Sequence, residues 1–261
     1  MPVNLKRLFK WSFGPNSTAF NKKKYRVYND DVFLVSYPRS GNTWVRQMIA
    51  LLKHPELDLT RDEVDAYIPD PYYNPSILSV ISRPRVIKSH EPYVPEYPKV
   101  IYLFRDGRNC LVSWYDVQTK LDGYTETFDA FVKGCISGAI GPFGSWQDHV
   151  KSWVLTAHNK PILNIRYEEL CDQTEQFLQK IGIFLDIAAD KNKIRAVIEG
   201  SSRQVRQAFL RNIRPHQWNK GFRGGVLGGS EKWREFFSDE LLELYWQYAG
   251  ETMEALGYCK Y

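Results

Sequence analysis

The chain has 261 residues, 43 % of them apolar, 25 % charged and 15 % aromatic, a balance that supports one large core and excludes disordered, collagenous or coiled-coil chains. The 35 Lys and Arg against 30 Asp and Glu leave a net charge of +5, which suits a protein that handles small anions; no nucleic-acid partner is expected from so small an excess. Cys110, Cys135, Cys171 and Cys259 lack CxxC spacing and no long apolar run or signal-peptide block is present, so no metal site, disulfide framework or membrane span is expected and a cytoplasmic location is.

Residues 1–30 read as a basic arm, with Lys6, Arg7 and Lys10 among bulky residues and Lys22, Lys23 and Lys24 in a row. Such an arm is either a solvated tail or a contact for a membrane surface or partner. The domain proper, 31–261, opens on Asp31 to Tyr37, an apolar run closed by Pro38 that predicts a buried strand. Val45, Met48, Ile49 and Leu52 then share one helical face, so Pro38 to Thr43 must form the loop between. Val86 to Lys88 predicts a second strand. Val100 to Phe104 predicts a third, with a helix near Asn109 to Tyr115, and Ile162 to Ile165 a fourth. Ser145 and Asp148 have capping-box spacing ahead of Val150, Trp153, Val154 and Ala157, and Asp172 with Glu175 reads the same way ahead of Phe177, Leu178 and Ile181. A last helix carries Leu241, Leu242, Leu244, Tyr245 and Tyr248. Apolar strands alternating with helices predict a three-layer α/β domain around a central parallel sheet, with ligands at the carboxyl ends of the strands.

The residues that follow the strands bear this out chemically. Tyr37-Pro38-Arg39-Ser40-Gly41-Asn42-Thr43-Trp44 is a small glycine-containing loop running into a helix, where backbone N–H groups and the positive dipole end meet an anion. Arg39 adds charge, Ser40, Asn42 and Thr43 add donors, and Trp44 a flat face; the pattern GxxxxGK[ST] of nucleoside-triphosphate loops is missing. Lys88-Ser89-His90 ends the second strand, and a neutral imidazole there can take a proton from an attacking hydroxyl or amine. His54, His149, His158 and His216 have no such setting and read as structural. After the third strand, Arg105 and Ser113 stand where both can reach one phosphate. Gln217 to Gly225 is a basic glycine-rich loop, either a linker or a lid whose Arg223 wraps an anion. Aromatics in Pro71-Tyr72-Tyr73, Pro92-Tyr93 and Pro142-Phe143 either wall an acceptor pocket or belong to the core.

Together with Gly144-Ser145-Trp146-x-x-His149-Val150 and Tyr167-Glu168-x-Leu170, these four motifs stand in one order and register from about Asp31 to Tyr258. In this the chain resembles the cytosolic-type sulfotransferases, which move a sulfuryl group from 3′-phosphoadenosine 5′-phosphosulfate (PAPS) to an acceptor on a fold akin to that of P-loop nucleotide kinases. The resemblance implies that Arg39, Ser40, Gly41, Asn42 and Thr43 bind the 5′-phosphosulfate and that Trp44 stacks on adenine. It likewise implies Arg105, Ser113, Arg223, Gly224 and Gly225 for the 3′-phosphate, Tyr167 near the adenosine and Ser202 near the purine. Lys88 and His90 match the catalytic lysine and general base, with Arg39 assisting Lys88 on the charge of the sulfuryl oxygens and leaving phosphate.

The chain departs from the family pattern at several positions. Arg39 stands where lysine is usual, and Arg203 where an aromatic residue is usual, so that a guanidinium face would meet adenine. The common Gly-Asp-Trp-Lys run becomes Gly229-Ser230-Glu231-Lys232-Trp233 and no dimer motif follows it, which leaves the oligomeric state open. The expected reaction is in-line transfer to a hydroxyl or amine of a small-molecule or carbohydrate acceptor, without a metal, since Arg, Lys and a helix dipole can carry the departing charge. The rival readings are a small-molecule or nucleotide kinase of the same architecture and a non-catalytic nucleotide-binding protein.

Overall fold

Val32, Leu34 and their neighbours in the first strand alternate between two apolar clusters, Phe33 and Val35 entering one and Val32 and Leu34 the other. A strand points successive side chains to opposite faces, so a run that is apolar throughout must be covered on both. The computed structural model describes residues 25–60, 64–72, 74–156, 158–213, 215–221 and 231–261. In chain order the elements begin β1 (Val32–Ser36), α1 (Asn42–Lys53), β2 (Val86–Ser89), β3 (Lys99–Phe104), α2 (Gly107–Leu121), α3 (Phe128–Ile136) and α4 (Trp146–Val150). They continue with β4 (Ile162–Arg166), α5 (Tyr167–Asp172), α6 (Thr174–Phe184), α7 (Lys191–Gly200), α8 (Arg203–Ile213), α9 (Pro215–Asn219) and α10 (Asp239–Ala255).

Among the described residues the four strands form one parallel sheet in the order β2-β1-β3-β4. Val35 lies opposite Ser89 on one side and Tyr102 on the other, so β1 sits inside the sheet with the ends of β2 and β3 level with its own. One face is covered by α2, α3, α4 and α10 through side chains such as Trp114, Phe131, Trp146 and Tyr245. The other is covered by α1, α6 and α7 through Val45, Met48, Phe177, Ile181 and Val197. Each fully buried large apolar side chain contributes about 1.5–3 kcal/mol, and these two clusters hold the loops at the carboxyl edge in place. The three-layer α/β expectation therefore holds, because chain crossings between parallel strands put helices on both faces.

Local boundaries differ from the sequence reading in three places. Asp172 does not cap α6; it ends α5, and Gln173 precedes α6 with no side-chain cap. The chain makes a full turn of helix directly after β4, which moves the break one residue on. Ser145 does cap α4, its Oγ accepting from the Asp148 N–H at 3.3 Å, but the helix then widens to a π turn over Lys151–Leu155. Ala157, expected on the same apolar face, lies outside the described residues. The helix after β3 runs to Leu121, well past Tyr115, with Asp106 accepting from the Arg108 N–H at 2.8 Å as its cap.

Residues 25–30, from the segment read as an arm, rest on the domain: the Tyr28 ring carries the Arg83 and Arg85 guanidiniums at 4.0 and 4.7 Å. The rest of that segment, 1–24, lies outside the described residues. No helix among the described residues is long and apolar enough to cross a membrane.

Candidate active site

Beyond β1 the backbone turns through the left-handed region twice, at Arg39 (φ 70°) and Gly41 (φ 101°). Glycine adopts this conformation freely, and here it is also required by space: a Cβ on Gly41 would stand 2.5 Å from the Tyr167 ring. Arg39 is a non-glycine residue held against its preference, the kind of strain that persists where surroundings over-determine a site. Its Nε donates to Ser113 Oγ at 3.1 Å and its carbonyl accepts from Arg105 Nη1 at 3.4 Å. Burial and then the neighbouring Arg105 cation lower the Arg39 guanidinium to about 10, where it is still charged at neutral pH. Among the described residues no side chain caps α1, so its opening N–H groups and positive dipole end face the loop. Asn42 Nδ2 donates to the Leu34 carbonyl and Ser36 Oγ, each at 3.2 Å, and pins the start of α1 to β1. Ser40 is buried with Oγ 3.5 Å from Cys110 Sγ, and Thr43 is exposed on the first turn of α1.

Arg105 enters from the end of β3. It is 7 % exposed, its guanidinium lies 4.6 Å over the Tyr167 ring, and its buried Nε has no hydrogen-bond partner among the described residues. A buried charged donor left unpaired is costly, so this group is set to receive an anion. Arg39, Arg105 and Ser113 thus converge on the end of β1, as two guanidiniums and a hydroxyl beside a helix N-terminus. Tyr167 also meets Trp44 edge-on at 6.1 Å. The Trp44 indole N–H donates to the Ser201 carbonyl at 3.1 Å, while Ser202 next to it closes the start of α8, its carbonyl accepting from the Arg206 N–H at 3.0 Å. Arg203 is exposed; the guanidinium over the Trp44 ring, at 4.8 Å, belongs to Arg206.

Lys88 and His90 leave β2 side by side with Arg39's loop. His90 is 4 % exposed, and its Nδ1 stands 2.7 Å from the Ser36 carbonyl oxygen. Since a carbonyl only accepts, Nδ1 carries the hydrogen and Nε2 is the basic nitrogen. Burial, followed by the nearby Lys88 charge, lowers His90 well below the ordinary imidazole range, so it is neutral at pH 7. The Tyr72 hydroxyl accepts from the His90 N–H at 2.8 Å, its ring stacks on His90 at 5.9 Å, and Phe143 approaches both rings at 5.5 and 5.6 Å. The Lys88 ammonium meets the Asp70 carboxylate, both buried. Behind them, α4 and its π turn hold the chain from His90 to Tyr93: His149 Nε2 donates to the His90 carbonyl at 2.9 Å, Trp153 Nε1 to the Glu91 carbonyl at 3.0 Å, and Ser152 Oγ accepts from the Tyr93 N–H at 3.1 Å.

Of the residues singled out in the sequence, Arg39 to Trp44, Lys88, His90, Arg105, Ser113, Tyr167 and Ser202 all lie at this one edge of the sheet. Arg223, Gly224 and Gly225 lie outside the described residues. Tyr93, partly buried, packs with Trp153 and His158 against the core, whereas the Tyr72 and Phe143 rings pack on His90. Sequence reasoning missed Asp70, Ser201 and Arg206. Asp70 had one signal, an acid between Pro69 and Pro71 in an otherwise apolar stretch; the other two had none.

A family model described as the sulfotransferase domain matches residues 29–257. Among curated proteins the chain is similar to sulfotransferase 1B1 of Mus musculus, 26 % identical over 80 % of this chain and 77 % of that one. Sulfotransferase 2B1 of Mus musculus is 27 % identical over 87 % and 72 %. In fold it is similar to mouse sulfotransferase SULT7A1, solved with PAP, with TM-score 0.67, 24 % identity and coverage of 88 % and 86 %. A retinol dehydratase solved with androsterone and inactive cofactor PAP gives TM-score 0.73 at 16 % identity over 88 % and 82 %.

Proposed function

Because the chain belongs to the sulfotransferase family, and so transfers a sulfuryl group from PAPS, we propose that His90, Lys88 and Arg39 carry that transfer to a hydroxyl or amine of an apolar small-molecule acceptor. The observation that supports it most is the buried Arg105 Nε, unpartnered among the described residues, beside Arg39, Ser113 and the start of α1, which none of their side chains caps. That donor set fits two separate phosphates, one at the α1 N-terminus and one between Arg105 and Ser113. PAPS supplies an activated sulfuryl group on its 5′-phosphate and a 3′-phosphate as a handle. Ser40, Gly41, Asn42 and Thr43 hold the first through the loop and α1; Arg105 and Ser113 hold the second, joined in this reading by Arg223, Gly224 and Gly225. Trp44, with Tyr167 and Ser202 nearby, holds the base.

His90 takes the acceptor proton on Nε2, the nitrogen left basic by its bond to Ser36. Lys88 and Arg39 neutralise the negative charge that builds on the transferring oxygens and on the departing phosphate, a role worth about 10²–10³ in rate for one preorganised donor. The same cations do the work that a metal does in phosphoryl transfer, so metal independence belongs to the reading. Tyr72 and Phe143, whose rings meet edge-on at 5.5 Å beside His90, favour an acceptor with a flat or apolar body that keeps water from the base.

The test is turnover of radiolabelled PAPS by the full chain, with excess EDTA, across a panel of phenols, alicyclic alcohols, amines and sugars. Labelled product with phenols or alicyclic alcohols supports the reading. Transfer from ATP but not PAPS would move it to a kinase, and binding without turnover to a nucleotide-binding protein.

A further inference from the structure

We propose that Asp70 is a positioning residue for sulfuryl transfer, holding the Lys88 ammonium beside His90 until the donor arrives; this rests on the sulfotransferase reading above. The segment around Asp70 brackets both members of the Lys-x-His pair. The Lys88 N–H donates to the Pro69 carbonyl at 3.0 Å, which runs the segment along the free edge of β2. One residue on, the Asp70 carboxylate takes the Lys88 ammonium through Oδ2, while Oδ1 accepts from the Tyr72 N–H at 3.1 Å. Two residues further, the Tyr72 hydroxyl accepts from the His90 N–H at 2.8 Å. Arg46, on α1, fixes the segment from the other side by donating to the Ile68 carbonyl at 3.1 Å and pairing with Asp65.

A lysine near the end of the edge strand β2 has four rotatable bonds, and burial alone disfavours its charged form. Among the described residues, the groups facing Lys88 include Asp70 and the Tyr72 ring from the bracket, Asp65 and Arg46 from the layer below, and His90 just past the end of its strand. Asp70 is the anion in contact, and Arg46 pushes the other way. Burial lowers the Lys88 ammonium, and Asp70 opposes that loss; for Asp70, burial is outweighed by Lys88 and Arg46, which keep the carboxylate ionised. The pair therefore preserves a charged ammonium in a dry site. When the donor enters, the anionic oxygens of its phosphosulfate compete with Asp70 for the same ammonium, and Lys88 needs only to swing away from the carboxylate to reach them.

The experiment compares Asp70→Asn and Asp70→Glu with the wild type in PAPS turnover against pH, with affinity for 3′-phosphoadenosine 5′-phosphate and melting temperature measured on the same preparations. An opposite charge at this range moves a neighbouring group by about 1–3 pH units. In Asp70→Asn the alkaline limb of kcat/KM should fall by that amount, because Lys88 then loses its proton at lower pH. Asp70→Glu, which keeps the charge but displaces it, should leave the limb in place and lower kcat by about tenfold or more, as small misplacements at a reacting centre do. If Asp70→Asn does not fold, Asp70→Glu alone decides, and wild-type kcat in that variant overturns the proposal. An unmoved limb in a folded Asp70→Asn protein also overturns it, even with activity reduced. A wild type inactive with PAPS under all conditions ends the sulfotransferase reading instead, and is seen before any variant is made.

Discussion

His149 and His90 are buried next to each other in opposite tautomers. His149 Nε2 stands 2.9 Å from the His90 carbonyl oxygen, and His90 Nδ1 stands 2.7 Å from that of Ser36. Each carbonyl can only accept, so His149 carries its hydrogen on Nε2 and His90 on Nδ1. The Tyr102 hydroxyl completes the arrangement by donating to His149 Nδ1 at 2.9 Å. One ring is thereby a strut for the backbone of the other, and the basic nitrogen of His90 is directed by structure.

A general base of this kind contributes about 10²–10⁴-fold in rate. His90→Ala should lower single-turnover rate by about that factor while affinity for 3′-phosphoadenosine 5′-phosphate, measured by calorimetry, stays within about threefold of wild type. Near wild-type turnover in a folded His90→Ala protein would remove His90 from the chemistry.

The buried histidines also set a pH dependence of stability. Burial lowers His149 to about 4 from an ordinary 6.5, and His90 moves in the same direction. The unfolded chain takes these protons first, so the stability is present above about pH 6.5 and is lost as pH falls toward 4. For His149 alone the loss between pH 7 and 5 is about 2 kcal/mol, to be read from denaturant midpoints. A His149→Gln variant should be less stable at pH 7 and show a shallower decline; parallel profiles for the two proteins would contradict the assignment.

The pairing of Arg39 Nε with Ser113 Oγ at 3.1 Å links the two anion positions. The 3′-phosphorylated nucleotide should raise the melting temperature more than AMP at equal concentration. Hydrogen bonds to charged groups contribute about 1.5–3 kcal/mol, so Ser113→Ala should cost about 10–100-fold in affinity for 3′-phosphoadenosine 5′-phosphate and little for AMP. Equal shifts for both nucleotides in the wild type would remove Arg105 and Ser113 from a 3′-phosphate role.

Gly41→Ala places a Cβ 2.5 Å from the Tyr167 ring at φ 101°. The backbone strain alone costs about 1–3 kcal/mol, and the displaced ring disturbs the Arg105 and Trp44 contacts. The variant should melt at lower temperature and bind nucleotide weakly. In a double-mutant cycle, Tyr167→Ala should reduce the cost of Gly41→Ala; strict additivity would show that the ring contact is not what restricts this position.

Much of this was legible in the chain because the chemistry is carried by residues that directly follow strands. Apolar runs predicted all four strands; β1 and β3, buried along nearly their whole length, are covered on both faces, which leaves no room for polar alternation within them. Arg39 to Trp44 and Lys88 to His90 could be singled out because their roles depend on near neighbours, a loop turning into a helix and two residues on one strand end. The misplaced start of α6 has a local cause as well: Asp172 suits a cap, but the turn of helix after β4 had already used it.

What only the tertiary structure decided depends on partners distant in sequence. Asp70 meets Lys88 across 18 positions and Ser201 meets Trp44 across 157, and no periodicity encodes either encounter. Arg203 and Arg206 are i,i+3 neighbours on one side of α8, so that it is Arg206 which covers Trp44 follows from how the helix packs. The tautomer of His90 was likewise beyond the sequence, since a neutral imidazole can carry its hydrogen on either nitrogen. It took the Ser36 carbonyl on one side and burial on all others to leave Nε2 as the base.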